Sequence, residues 1–200
     1  MKTASQGIHP RLVHAGFHGD PSGAVTVPIY QTSTFAFRNA EHGAALFGGA
    51  DDGYIYTRLG NPTIRALEEC VGELENGQRG IATSSGMGAV SIVYLALLGQ
   101  GTHVVSTASV YGPSRLLIER HLARFGVNAT FVDTTDPENV RRALRPETKL
   151  VYVETPSNPA MQVTDVAAVA AVAHAHGCPL CVDNTFASPY LHRPLALGAD

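Results

Sequence analysis

Residues 178–190 read CPLCVDNTFASPY. Residues 179–182 have the length and apolar character of a short buried strand. That run ends on Asp183, with Asn184, Thr185 and Phe186 directly after it. An unpaired charge at the end of a buried strand is costly, so Asp183 calls for a positive partner at that edge. The preceding segment, residues 165–176, is an apolar helix pattern closed by Gly177.

Moving outward, the same alternation repeats. Strands are expected at 80–84, 103–106, 129–132, 150–154 and 180–183. Helices are expected at 62–77, 86–98, 114–125, 137–144 and 165–176. The first helix carries Ile64, Leu67, Val71 and Leu74 on one face. Strands and helices alternating at this spacing imply an α/β fold, a mainly parallel sheet with helices on both faces. In such sheets ligands sit beyond the carboxyl ends of the strands. The segments to read for chemistry are therefore 84–88, 108–112, 155–158 and 183–185.

Residues 1–55 lack this periodicity. The stretch GAVTVPIYQTSTFAF (23–37) alternates like a strand but is interrupted by Pro28. Two regions are expected: an extended N-terminal arm over 1–61, suited to embracing another surface, and an α/β domain over 62–200. The chain stops at LALGAD in mid-pattern, which reads as a cut.

Composition narrows the function. Of 200 residues, 44% are hydrophobic and 16% charged, a globular balance that argues against disorder. A net charge of −3 offers no basic field for nucleic acid or anionic membrane. No apolar run reaches bilayer length, and MKTASQGIHPRLVHAG lacks the apolar core of a signal peptide. The cytoplasm is the expected compartment. Cys70, Cys178 and Cys181 are too few and too unevenly placed for a disulfide framework.

Several short motifs fall at the strand ends. In TSSGMGAV (83–90), Gly86 and Gly88 allow close backbone approach, and the helix start offers free N–H groups to a phosphate. Tight strand–helix packing explains the same glycines. Ser91 stands where a dinucleotide fingerprint needs its third glycine, which points to a single phosphate. Tyr111 in ASVYGPS is either a core tyrosine or a ring placed to stack on a flat ligand. VETPSNP sets Glu154 and Asn158 at a ligand edge between rigid prolines. YIYTRLGNPT sets a phenol, Tyr56, two residues from a guanidinium, Arg58, a pair able to grip one phosphate. HAHGCPLC (174–181) matches no common zinc spacing. A phosphate site, a stacking ring and a buried acid together meet the needs of pyridoxal phosphate, whose ring nitrogen a carboxylate keeps protonated.

Taken in order, YTRLGNPT, SSGMGA, VYGPS, ETPSNP and VDNTFASPYLHRPLALGAD resemble the motifs of the Cys/Met-metabolism, or trans-sulfuration, family of pyridoxal-phosphate enzymes. The resemblance implies fold type I, an amino-acid substrate, and a homotetramer, a dimer of dimers with shared active sites. It implies γ-elimination or γ-replacement on sulfur amino acids or homoserine esters, by a methionine γ-lyase or cystathionine γ-lyase type of enzyme. A sulfhydrylase or γ-synthase is the neighbouring alternative. By the same resemblance, Ser85, Gly86 and Met87 would serve the phosphate, and Tyr111 would stack on the ring and help move protons. Asp183 would pair with the ring nitrogen, with Asn158 near the ring hydroxyl and Glu154 and Thr185 in support. Tyr56 and Arg58 would reach the phosphate of a neighbouring subunit. No metal is implied.

Two departures stand beside the resemblance. The family's Schiff-base lysine would lie past Asp200, with the carboxy-terminal domain beyond it. Of the chain's lysines, Lys2 is in the arm and Lys149 at the wrong sheet end. The 200-residue chain alone is therefore expected to be inactive, and a non-catalytic chain is the rival reading. The second departure is Pro113, which follows Tyr111–Gly112 where methionine γ-lyases carry cysteine.

Overall fold

The computed structural model describes residues 7–200, so Lys2 lies outside the described residues. The chain divides into two compact units, Met1–Ala82 and Thr83–Asp200.

The first unit holds α1 (Ile8–His14), α2 (Ala40–Phe47) and α3 (Pro62–Glu75). Helix α3 starts where Asn61 accepts from the Thr63 N–H, with Pro62 in the first turn, and it ends on left-handed Asn76. Its apolar face is open rather than buried: Ile64, Leu67 and Val71 are 37%, 56% and 42% exposed, and only Leu74 of the four is buried. Just past the end of α1, Gly16 lies against α3: its φ is +73° and a Cβ there would stand 2.1 Å from the Ala66 carbonyl oxygen. The stretch around Thr34 is tied to the Tyr56 region by an antiparallel bridge, with Thr57 N donating to Ser33 O at 2.8 Å and Phe35 N to Ile55 O at 3.1 Å.

Residues 80–84 are not a strand. Gly80 lies so close to α3 that a Cβ there would meet the Glu68 carbonyl oxygen at 2.4 Å, and the Ala82 N–H goes to the Glu68 carboxylate at 2.9 Å. Its backbone is committed to the helix, and no ladder forms.

The second unit alternates α4 (Gly86–Leu97), β1 (His103–Thr107), α5, β2 (Asn128–Val132), α6 (Pro137–Ala143), β3 (Thr148–Glu154), α7 (Val166–His176), β4 (Leu180–Asp183) and α8 (Ser188–Leu191). Helix α5 runs as an α-turn over Gly112–Leu116, a wider π-turn over Leu117–His121 and a tight last turn over Leu122–Phe125. Among the described residues the four strands form one parallel sheet in the order β2-β1-β3-β4. The sheet has a core on each face. Val105, Val151, Val153 and Leu180 pack with Val140 of α6 and the apolar side of α7. Val104, Leu150 and Tyr152 pack with Val90 and Tyr94 of α4 and with Ile118 and Leu122 of α5. The period of two along β3 sends Val151 and Val153 one way and Leu150, Tyr152 and Glu154 the other. The doubly covered parallel sheet expected from the sequence is therefore present.

Candidate active site

The chain runs from β1 outward to β2, then returns to the far side of β1 with β3. That reversal opens a crevice at the carboxyl ends of β1 and β3. A cavity of about 500 Å³ lies there, lined by groups that follow the strand ends and by the start of α4.

At the α4 end, Ser85 accepts the Gly88 N–H at 3.0 Å and fixes the first turn. The N–H groups of Gly86 and Met87 belong to that turn, and space is open beside Gly86: a Cβ there meets nothing within 4 Å. The Met87 sulfur is held from below by the buried Ser114 hydroxyl at 3.7 Å.

Glu154, at the end of β3, is 5% exposed. One oxygen accepts the Tyr111 N–H at 2.7 Å and the other the Asn158 N–H at 2.7 Å. A single carboxylate thereby pins the loop after β1 to the loop after β3. Burial pushes its pKa up, opposed by those two N–H bonds. Tyr111 itself remains 42% exposed, its ring free at the cavity wall. Pro156 and Pro159, on either side of Ser157–Asn158, both follow cis peptide bonds.

Asp183 ends β4 directly beside Glu154, its register partner in the parallel pair. Its Oδ1 accepts the Thr185 N–H at 3.1 Å and also the Thr185 hydroxyl. Its Oδ2 accepts the Tyr152 hydroxyl at 3.2 Å. The carboxylate has four lone-pair sites, so these bonds leave one on Oδ2, and Asp183 lines the cavity. Below it, on the same face of β4, burial and the Asp183 charge push the Cys181 thiol up to about 12.

The structure thus brings Gly86, Met87, Tyr111, Glu154, Asn158, Asp183 and Thr185 to one cavity, while Ser85 stands just outside its lining as the cap of α4. Tyr56 and Arg58 lie in the first unit, where the Arg58 guanidinium stacks over the Tyr56 ring at 5.0 Å. Lys149 is the second residue of β3, at the end of the strand opposite Glu154. The 174–181 cluster has other partners: His174 bonds Asp200 at 2.8 Å, His176 the Arg145 carbonyl at 2.8 Å, and Cys178 the Ala173 carbonyl at 3.6 Å.

Sequence reasoning missed Tyr152, Cys181 and the apolar floor of Val90 and Val93. Counting back by two from Glu154 and Asp183 finds the first pair.

The contents of the cavity match one kind of ligand. Helix-start N–H groups suit a phosphate at one end, a free aromatic face suits a planar ring, and a fixed carboxylate suits a ring N–H. Fold and site define an α/β domain built for a phosphorylated heteroaromatic cofactor. Residues 10–200 match the family described as Cys/Met metabolism PLP-dependent enzyme, and the chain belongs to that family. It is 50% identical over 196 residues to an L-methionine gamma-lyase of Treponema denticola, a match spanning 97% of this chain and 49% of the relative. A cystathionine gamma-lyase of Bacillus subtilis is 46% identical over 190 residues, 94% of this chain and 48% of that one. The crystal structure of metB from Corynebacterium glutamicum superposes with a TM-score of 0.91 at 42% identity, covering all of this chain and 50% of that one. The fold is that of the type I pyridoxal-phosphate enzymes, and the chain spans about half the length of the relatives it matches.

Proposed function

We propose that this chain forms the cofactor-binding part of a pyridoxal-phosphate enzyme that performs γ-elimination or γ-replacement on sulfur amino acids or homoserine esters. The observation that carries the reading is the Asp183 carboxylate, which lines the cavity, is bonded on Oδ1 by Thr185 and on Oδ2 by Tyr152, and keeps one lone-pair site unused. The names of the relatives, methionine gamma-lyase and cystathionine gamma-lyase, support the substrate class.

When bound, the cofactor supplies an electron sink for charge developing on the substrate carbons. Each residue has a part. The Gly86 and Met87 N–H groups bind the phosphate, with Ser85 holding the turn that presents them. Tyr111 covers the ring and passes protons near the reacting carbons. Asp183 holds the proton on the ring nitrogen, and Thr185 orients Asp183. Asn158 faces the ring hydroxyl, and Glu154 sets the positions of Tyr111 and Asn158. Tyr56 and Arg58, on the arm of one subunit, complete the phosphate site of another in a homotetramer with shared active sites. The compartment is the cytoplasm.

The test uses the natural full-length protein. With methionine, cystathionine and O-acetylhomoserine as substrates, elimination releases ammonia and a 2-oxo acid that a coupled dehydrogenase detects. Asp183→Ala is expected to lower turnover by orders of magnitude, because a neutral ring is a poor electron sink, with far less effect on folding. Near-normal turnover in that variant would make Asp183 a structural cap.

A further inference from the structure

Tyr152 sits in the middle of the fold's most buried surface and still ends in the active-site cavity. The residue is 2% exposed, its ring meets the fully buried ring of Tyr94 edge-on at a centroid separation of 4.9 Å, and its hydroxyl reaches Asp183 Oδ2 at 3.2 Å. A tyrosine buried this deeply has two χ angles locked by packing, so its hydroxyl is a fixed point. The Asp183 carboxylate is consequently anchored at both ends, by Thr185 on Oδ1 and by Tyr152 on Oδ2. Anchoring at one oxygen leaves the plane of a carboxylate free to swing; anchoring at both defines it.

We propose that Tyr152 is a positioning residue for Asp183: the phenol fixes the carboxylate plane so that the remaining lone pair of Oδ2 is aimed at the ring nitrogen of the cofactor. The proposal rests on the reading of Asp183 as the partner of that nitrogen. The phenol also acts only as a donor here. Burial is the first cause of its pKa lying far above the ordinary phenol range, and Asp183 and Tyr94 add to it. The proton therefore stays on Tyr152 across the working pH range.

The role is separable from plain packing by a double-mutant cycle in the natural full-length protein. The variants are Tyr152→Phe, Asp183→Asn and the pair. The readouts are the dissociation constant of pyridoxal phosphate for the apoprotein and the circular dichroism of the bound cofactor in the visible range. Tyr152→Phe is expected to weaken cofactor binding about three- to tenfold and to reduce the dichroic amplitude. It is expected to do neither in the Asp183→Asn background. Equal losses in both backgrounds, or none in the first, would overturn the proposal and leave Tyr152 as core packing. If Asp183→Asn alone leaves binding and dichroism unchanged, the reading of Asp183 fails and the proposal falls with it. Should Tyr152→Phe not fold, p-aminophenylalanine installed at position 152 keeps the ring and a weaker donor. It is expected to give an intermediate loss, and wild-type values there would count against the proposal.

Discussion

Glu154 is held by two backbone N–H groups, those of Tyr111 and Asn158, 43 and 4 residues away in sequence. Removing it strands both donors. Glu154→Ala is therefore expected to lower stability by about 1–3 kcal/mol at neutral pH, read from urea midpoints. The pH dependence has a definite sign. Burial raises the pKa of Glu154 in the folded state, so between its ordinary value and the raised one the folded chain holds more protons than the unfolded chain. Stability falls with rising pH across that interval. The advantage of wild type over Glu154→Ala is expected to be largest at the acid end and to shrink upward; a constant difference would refute the shift. At this scale the sequence was informative wherever a polar residue follows a strand directly. Gly86, Tyr111, Asn158 and Asp183 all fall in the segments read after expected strands, and the family resemblance supplied their roles. Tyr152 was invisible to that rule, because a tyrosine inside an apolar strand reads as core until its hydroxyl has an address.

Helix α7 shows how local signals set an element. Asp165 accepts the Ala168 N–H at 3.0 Å, and Gly177 takes a φ of +81° at the other end. Asp165→Ala is expected to cost about 1 kcal/mol, measured as a lower melting temperature, with cofactor affinity unaltered because the cap lies outside the cavity lining. Elements with capping residues and clear periods were legible nearly to the residue: β4 spans Leu180–Asp183 and α4 spans Gly86–Leu97, close to the expected bounds. Two departures have physical causes. The expected strand at 80–84 has suitable residues, but Gly80 lies against α3 and the Ala82 N–H goes to its Glu68 carboxylate, a tertiary choice that local propensity cannot register. The expected helix at 114–125 widens into a π-turn at Leu117–His121. A helical period cannot distinguish that widening from a regular turn.

For the whole molecule, the parallel sheet and its two cores followed from the alternation of strands and helices, whereas the sequence of residues 1–55 carries no such period and the role proposed for Tyr56 and Arg58 rests on the family resemblance. Under the proposed assembly, Arg58 of one chain and Asp183 of another serve one site. Arg58→Ala and Asp183→Ala chains, each nearly inactive alone, are then expected to complement when co-expressed at full length. One site of a heterodimer carries both defects and its twin carries neither, so up to about half of the heterodimer sites recover. Activity that fails to track the heterodimer fraction would return Arg58 to its own subunit. The polarity of the sheet has a practical corollary. Gly86, Met87, Tyr111, Glu154, Asn158, Asp183 and Thr185 lie at or just after the carboxyl ends of strands or at the start of α4, while the Gly99–Gln100–Gly101 turn before β1 is exposed and stands about 16 Å away along that strand. Foreign sequence spliced between Gln100 and Gly101, such as a fluorophore-bearing peptide or an affinity handle, would ride on the blind end of the domain.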